Sequence, residues 1–338
     1  MPPRGAPLEQ VGARRGSDPM DLAHRSYVGG KASNGAGLLV LANSASALVS
    51  RDSEALVDRI RRAFDAAGRA ADVRLIEPAE LAAAVRTASE EHRAIVVAGG
   101  DGSISTAAGM LAGSETALGV LPLGTLNHFA RDIGMPADLE AAANVLTKGT
   151  IARVDVGEVN GRIFVNNSSV GIYTAIVEDR DRQRRDHGRG KWLALAIAGG
   201  RAFRHYRRRR LTISSGGRTW QRRTSLLFVG NNSYKLRFPY MGARPRLDGG
   251  VLCLFAVMGR GWRLVRLALF ALLGAADTDR EFERADGLQE LVVTGADGEL
   301  PVAIDGEIEW LRTPLRYRIR PLALMVIRPA GAPRAAGA

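Results

Sequence analysis

Between residues 38 and 147 the sequence alternates short apolar runs with segments of helical periodicity, and this alternation constrains the fold more than any other feature. The apolar runs have strand length and lie at residues 38–41, 72–76, 94–98 and 117–121. Segments 54–67 and 79–91, which lie between them, have the spacing of amphipathic helices. Strands that alternate with helices pair in parallel through right-handed crossovers. We therefore predict an open parallel α/β domain over residues 38–149.

After Gly149 the pattern changes to strands that are separated by glycine and asparagine turns. The dipeptides Asn160-Gly161 and Gly216-Gly217 each separate two strand-like segments and predict tight hairpins. Many short strands with few helices are typical of an antiparallel sandwich. The predicted fold class is therefore α/β plus β, with an antiparallel β-sandwich over residues 150–330.

Composition supports two folded domains preceded by a tail. The chain has 338 residues, of which 46% are hydrophobic, so it can bury substantial cores. Residues 1–37 are rich in Pro, Gly, Arg and Ser and predict a disordered tail. The single cysteine, Cys253, excludes an intramolecular disulfide and suits a reducing cytosol. The longest apolar stretch, residues 262–276, contains two arginines and is shorter than the ~20 residues of a membrane-spanning helix, so we predict none.

A glycine-rich loop at the end of the third predicted strand is the sharpest local signal. Its residues are Gly99, Gly100, Asp101, Gly102 and Ser103, and a helix is predicted over residues 103–111. Glycines let the backbone approach a polyphosphate, and the amides at a helix start favour its negative charge. Because Asp101 would repel phosphate, we expect it to act through Mg²⁺ or to orient an amide. A tight turn with an aspartate helix cap is the alternative interpretation.

A second turn of the same kind follows the fourth predicted strand. It contains Gly124, Thr125 and Asn127 and again leads into a helix. The carboxyl ends of parallel strands are where open α/β sheets bind ligands. We therefore expect the two turns to form two lips of one nucleotide crevice.

Two carboxylates near the chain end supply a third element. Asp305 and Glu307 follow the strand-like residues 302–304, and side chains two residues apart in an extended segment point to the same side. A carboxylate next to a hydroxyl can take its proton as a general base. Residues 297–299 have the same Asp-Gly-Glu sequence in a loop-like context. An acidic turn is the alternative interpretation of residues 305–307.

In this order, the two glycine loops and the Asp-Gly-Glu segment resemble the bacterial lipid kinases of the diacylglycerol kinase catalytic-domain family. Relatives of that family include sphingosine and ceramide kinases and, more remotely, NAD kinases. The resemblance covers about residues 38–328. It implies an enzyme that uses ATP and Mg²⁺ to phosphorylate a hydroxyl of a lipid such as diacylglycerol. Within that resemblance we assign Glu307 as the base and Asp305 as its support, although the roles could be reversed. The residues that it marks for nucleotide binding are Asn43, Gly99, Gly100, Asp101, Gly102, Ser103, Gly124, Thr125 and Asn127.

The same resemblance marks Asp248 and also reveals departures from the family pattern. Asp248 lies in an Asp-Gly-Gly segment that resembles the one where the family holds a structural magnesium, and a plain Asp-Gly turn is the alternative. Ser105 replaces a usual Asn, and His128 and Tyr173 each replace a usual Asp. These departures leave open a degenerate, non-catalytic protein that binds lipid or nucleotide. A soluble-substrate kinase of the NAD kinase type is the other alternative.

The formal net charge of +12 is concentrated in one segment. Residues 180–223 hold about fifteen Lys and Arg but two Asp, and we interpret residues 180–210 as a basic insertion. Basic residues beside an apolar helix predict attachment to an anionic membrane surface, here the inner face of the cell membrane reached from the cytoplasm. A solvated charged loop is the alternative. No nucleic-acid-binding motif accompanies the arginines, so nucleic acid is not an expected partner. The sequence leaves homodimer formation open.

Overall fold

The computed structural model describes residues 37–45, 53–171, 209–234, 244–257 and 282–331, and every structural statement below concerns these residues. Several sequence predictions lie outside them. These are the tail up to residue 36, Tyr173, the basic insertion up to residue 208 and the apolar stretch at residues 262–276.

The N-terminal half alternates strands with helices, as predicted. The elements are β1 Leu38–Asn43, α1 Ser53–Ala66, β2 Ala71–Ile76, α2 Leu81–Glu91, β3 Ala94–Gly99, α3 Asp101–Leu111, β4 Ala117–Pro122, α4 His128–Asp132 and α5 Leu139–Lys148. The strands pair in parallel in the order β2-β1-β3-β4. All six residues of β3 are buried, because this central strand is covered on both faces.

Helix α3 begins two residues earlier than predicted. Gly100 is extended (φ −91°, ψ −175°) and occupies the N-cap position, so the helix starts at Asp101 directly after β3. The turn between β3 and α3 is therefore a single residue.

The C-terminal half is the predicted antiparallel sandwich. Its strands are β5 Thr150–Val159, β6 Arg162–Phe164, β7 Asn167–Gly171, β8 Arg209–Ser215, β9 Arg218–Thr224, β10 Leu226–Asn231, β11 Leu252–Val257, β12 Phe282–Leu288, β13 Glu290–Gly295, β14 Glu299–Ile304, β15 Glu307–Arg312 and β16 Leu315–Arg328. One sheet has the order β12-β11-β10-β7-β14-β15, and it packs against the strands β5, β16, β13 and β8. Leu227, Leu254 and Tyr317 lie in the core between these layers.

Both predicted hairpins form with the expected turn chemistry. Asn160 and Gly161 join β5 to β6 with φ values of 47° and 84°. Gly216 and Gly217 join β8 to β9 with φ values of 54° and 75°. Two consecutive positive φ angles are what a two-residue type I′ turn requires.

Strand β16 connects the two halves. Its first part pairs with β13, and near its end Val326 pairs in parallel with Leu118 of β4. Between these parts the register of β16 with β5 shifts, and Leu322 there has a φ of 51°. Strand β16 thus returns to the N-terminal sheet and ties the sandwich to it. The domain boundary near residue 149 stays a prediction.

Candidate functional site

The two glycine loops are in direct backbone contact. The amide of Leu123 donates to the carbonyl of Gly99 over 3.0 Å. A methyl carbon built on Gly124 would lie 2.6 Å from the Cα of Gly100. Only glycine allows the two turns to approach this closely. The structure therefore brings together the two predicted lips of the crevice.

The loop after β1 is fastened to the start of α3. The Asn43 Nδ2 donates to the Ser103 Oγ over 2.7 Å, and the Asn43 Oδ1 accepts from the amide of Ala45 over 2.9 Å. A methyl carbon on Gly99 would lie 2.7 Å from the Ser103 Oγ, so the absence of a side chain at residue 99 makes room for this bond. The hydrogen bond between Asn43 and Ser103 thus joins the end of β1 to the first glycine loop.

Asn127 shapes the second loop. It adopts a left-handed conformation (φ 49°) at the N-cap of α4. Its Oδ1 accepts from the amide of Gly124 over 3.0 Å, and its Nδ2 donates to the carbonyl of Gly124 over 2.9 Å. Both polar atoms of the Asn127 side chain are therefore used within the loop. Thr125 and Leu126 are exposed at its tip.

The start of α3 offers donors for an anion. The first backbone bond within this helix runs from the Ile104 amide to the Gly100 carbonyl, over 3.1 Å. The amides of Asp101, Gly102 and Ser103 precede that bond, and the first amides of a helix have no partner within it. These amides and the helix dipole favour negative charge at this point.

Asp305 is the joint between the two halves of the molecule. Its Oδ2 accepts from the Ser105 Oγ of α3 over 2.6 Å and from the amide of Val165 over 2.8 Å. Its Oδ1 accepts from the amides of Asn166 and Asn167 over 2.8 and 3.0 Å. Enclosure by protein raises the pKa of the Asp305 carboxyl, against the opposing effect of the four donors. With both oxygens accepting hydrogen bonds from the protein, Asp305 is suited to hold this segment in position.

Glu307 has the opposite environment. It is exposed, and a methyl carbon on Gly102 would lie 2.5 Å from its Oε1. The turn of β14 and β15 therefore places this carboxylate directly over the glycine loop at the start of α3. Asp305, two residues earlier, anchors that turn to α3 through Ser105.

Asp248, the predicted magnesium ligand, forms an ion pair with a neighbouring arginine. Its Oδ1 accepts from the Arg246 Nε over 3.0 Å, so an arginine already neutralises it. The neighbouring acid Asp155 uses its two oxygens for the amides of Leu322 and Gly250, over 2.8 and 2.7 Å. Within the described ranges no group of three His, Cys, Asp or Glu residues could hold a metal. The assignment of Asp248 as a magnesium ligand stays a prediction.

Sequence reasoning missed Arg244 and Asp132. The Arg244 side chain is fully buried, and its Nε donates to the Asp132 Oδ2 at the end of α4 over 2.7 Å. Its Nη2 donates to the Asn166 Oδ1 over 2.9 Å, and its Nη1 donates to the carbonyl of Val165. No local pattern marks an arginine that is buried by partners so distant in sequence. Asp155, by contrast, lies within an apolar strand segment, and a buried acid in such a segment is a signal that could have been used.

Comparisons with known proteins identify relatives of this chain. The family profile described as "Diacylglycerol kinase catalytic domain" matches residues 37–159. A Pseudomonas aeruginosa protein named "Probable lipid kinase YegS-like" is 30% identical over 245 residues, which are 72% of this chain and 78% of the relative. A Staphylococcus aureus "Diacylglycerol kinase" is 28% identical over 177 residues, which cover 52% of this chain and 55% of the relative. A crystal structure of a diacylglycerol kinase from Bacillus anthracis covers 89% of this chain and 98% of its own, with a TM-score of 0.63 and 19% identity, and shows the shared fold.

The fold, the paired glycine loops and these matches define a phosphotransferase with an alcohol group as acceptor. The chain belongs to the diacylglycerol kinase catalytic-domain family of lipid kinases. None of the helices in the described ranges has the length and apolar character to cross a bilayer.

Proposed function

We propose that this kinase transfers the γ-phosphoryl group of ATP, supplied as its magnesium complex, to the hydroxyl of diacylglycerol or a related lipid. The observation that carries the proposal is the exposed Glu307 carboxylate, which lies against Gly102 at the start of α3. A candidate base and a candidate phosphate site are thus adjacent, as in-line phosphoryl transfer requires.

In the proposed reaction, each part of the site has one task. The amides of Asp101, Gly102 and Ser103 bind phosphate oxygens at the helix start. The lipid hydroxyl oxygen attacks the γ-phosphorus while its proton passes to the Glu307 carboxylate. The bond from the γ-phosphorus to the β–γ bridging oxygen breaks, and ADP leaves with that electron pair. The products are the phosphorylated lipid, ADP and one proton, which Glu307 later releases to solvent.

Magnesium enters this proposal as part of the nucleotide substrate. Asp101 is half-buried in the first turn of α3, next to the proposed phosphate site. A carboxylate there would repel phosphate, but it suits a hard cation that is bound to the phosphate. We therefore assign Asp101 to the metal that accompanies ATP.

We propose that the protein binds from the cytoplasm to the anionic surface at the inner face of the cell membrane. The described part of the basic segment supports it. Arg210, Arg218 and Arg223 are exposed on the β8–β9 hairpin, whereas Arg209 pairs with Asp297 over 2.6 Å. Each exposed basic residue near an anionic surface contributes about 1 kcal/mol of attraction.

The proposal is tested by offering radiolabelled ATP and magnesium to the purified full chain with vesicles of phosphatidylglycerol that contain diacylglycerol. Parallel reactions replace diacylglycerol with a sphingoid base or contain NAD without vesicles. We expect label in the lipid fraction. Label in NAD alone would favour the soluble-substrate alternative, and ATP binding without any transfer would favour a non-catalytic protein.

The role of Glu307 is tested by Glu307→Gln, with Glu309→Gln as the matched control. Glu309 lies on the same strand and pairs with Arg162 over 2.8 Å. Loss of a general base reduces kcat by about 10²- to 10⁴-fold, so we expect such a loss for Glu307→Gln and a near-normal rate for Glu309→Gln. Equal rates for the two variants would contradict the assignment.

A further inference from the structure

Arg244 occupies a second joint between the two halves of the molecule, separate from the one at Asp305. The guanidinium contacts the Asp132 carboxylate of α4 through Nε over 2.7 Å and through Nη2 over 2.6 Å. The remaining donors reach the segment between β6 and β7, where they bind the Val165 carbonyl and the Asn166 side chain. One side chain therefore joins the N-terminal half to the C-terminal half.

The partners of Arg244 lead directly to both sides of the proposed active site. Asp132 is the last residue of the short helix α4, and Asn127 at the other end of that helix shapes the loop at Gly124. On the other side, the amides of Val165 and Asn166 bind the Asp305 carboxylate, two residues before Glu307. The chain of contacts thus runs from the second glycine loop, through Arg244, to the turn that carries Glu307.

The buried surroundings of Arg244 make this joint specific. The Arg244 side chain is fully buried, and the Asp132 side chain is 16% exposed. The Arg244 guanidinium also lies 5.7 Å from the centre of the Tyr234 ring, and the Tyr234 hydroxyl donates to the Asn166 carbonyl over 2.8 Å. A buried ion pair tolerates poorly the loss of either partner, because the other charge then has no counterion. The planar guanidinium, with donors in a fixed fork, also fixes the orientation of its partners, which a lysine would not do.

We propose that Arg244, through its ion pair with Asp132, is a positioning residue that sets the distance between the glycine loops and the Glu307 carboxylate. The proposal rests on the proposed role of Glu307 as the base. Phosphoryl transfer depends strongly on this distance, since a displacement of about 1 Å can reduce a rate about 100-fold. The nucleotide-binding amides of α3 lie within the N-terminal half and do not depend on the pair.

The test compares Asp132→Asn and Arg244→Lys with the control Glu283→Gln. Glu283 forms a partly buried ion pair with Arg222 over 2.6 Å, and both residues belong to the sandwich. We expect kcat to fall about 10- to 100-fold in the two joint variants, with the KM for ATP changed less than about threefold. Glu283→Gln should keep both constants near the wild-type values. A fall of similar size in all three variants would show a general effect on folding and would overturn the proposal.

Hydrogen exchange supplies a readout that needs no acceptor lipid. In Asp132→Asn the amides of Val165, Asn166 and Asn167 should exchange faster, because the segment that carries them loses its tie to α4. These amides should be unaffected in Glu283→Gln. Unchanged exchange in Asp132→Asn would overturn the proposal, as would a kcat within about twofold of wild type. A wild-type protein without lipid kinase activity but with the predicted exchange pattern would refute the proposed function and leave the joint supported.

Discussion

Replacing Asp305 with Asn removes a charge from four hydrogen-bond donors while the shape of the side chain stays the same. The donors are the Ser105 hydroxyl and the amides of Val165, Asn166 and Asn167, at 2.6–3.0 Å from the carboxylate oxygens. Asp305 has a φ of 47°, a conformation that Asn adopts as readily as Asp. The substitution therefore changes the hydrogen bonds without adding backbone strain.

The expected loss follows from the two orientations of the new amide group. If its NH₂ replaces Oδ1, the amides of both Asn166 and Asn167 lose their acceptor. If the NH₂ group replaces Oδ2, the Ser105 hydroxyl can rotate and accept a hydrogen bond from it. Only the Val165 amide then faces another donor and loses its acceptor. A hydrogen bond to a charged group contributes about 1.5–3 kcal/mol, so one lost bond and the weakening of the others together reduce stability by about 2–4 kcal/mol.

The assay is urea unfolding followed by circular dichroism, with Asp297→Asn as the control. Asp297 belongs to the second Asp-Gly-Glu segment of the chain, but its side chain is 63% exposed and pairs with Arg209 at the surface. Exposed ion pairs contribute less than about 1 kcal/mol, so this variant should unfold close to wild type. If Asp305→Asn and Asp297→Asn unfold within about 1 kcal/mol of each other, Asp305 is not the joint described above.

Two further predictions concern other parts of the molecule. In Gly102→Ala the new methyl carbon would lie 2.5 Å from the Glu307 Oε1, so we expect kcat to fall while the unfolding midpoint in urea changes little; an unchanged kcat would argue against Glu307 at this loop. Cys253 is fully buried, and burial raises the pKa of its thiol to about 12, so a thiol reagent should label it in urea but not in the native protein. Rapid labelling of native protein would contradict the packing of β11 against β10.

The elements and the two hairpins could be predicted from the sequence because local chemistry determines them. Asn160-Gly161 forms a type I′ turn wherever two strands flank it, since both residues tolerate positive φ. The meeting of the two glycine loops could also be predicted, because strands of a parallel sheet end at a common edge. Gly99 and Gly124 are found at that edge, as expected.

The joints between the halves could not be predicted, because they depend on contacts between residues that are far apart in sequence. Ser105 and Asp305 are separated by 200 positions, and Asp132 and Arg244 by 112. The spacing of Asp305 and Glu307 predicts that they point to the same side. Their different roles depend on the residues that each of them contacts. Only the fold shows that Asp305 meets amides and that Glu307 meets a glycine.

The departures from the family pattern acquire a physical meaning once these contacts are known. Ser105 stands where the family usually has Asn, and its hydroxyl donates to Asp305, so this position still takes part in the joint between the halves. His128 stands where Asp is usual, but it is exposed, and its Nδ1 accepts from the Arg131 guanidinium over 2.8 Å. The family's acid is therefore missing at position 128, but Asp101 and Glu307 are present, one for each task of the proposed reaction. Ser105 and His128 thus leave the proposed base and phosphate site in place, whereas the third departure, Tyr173, lies outside the described residues.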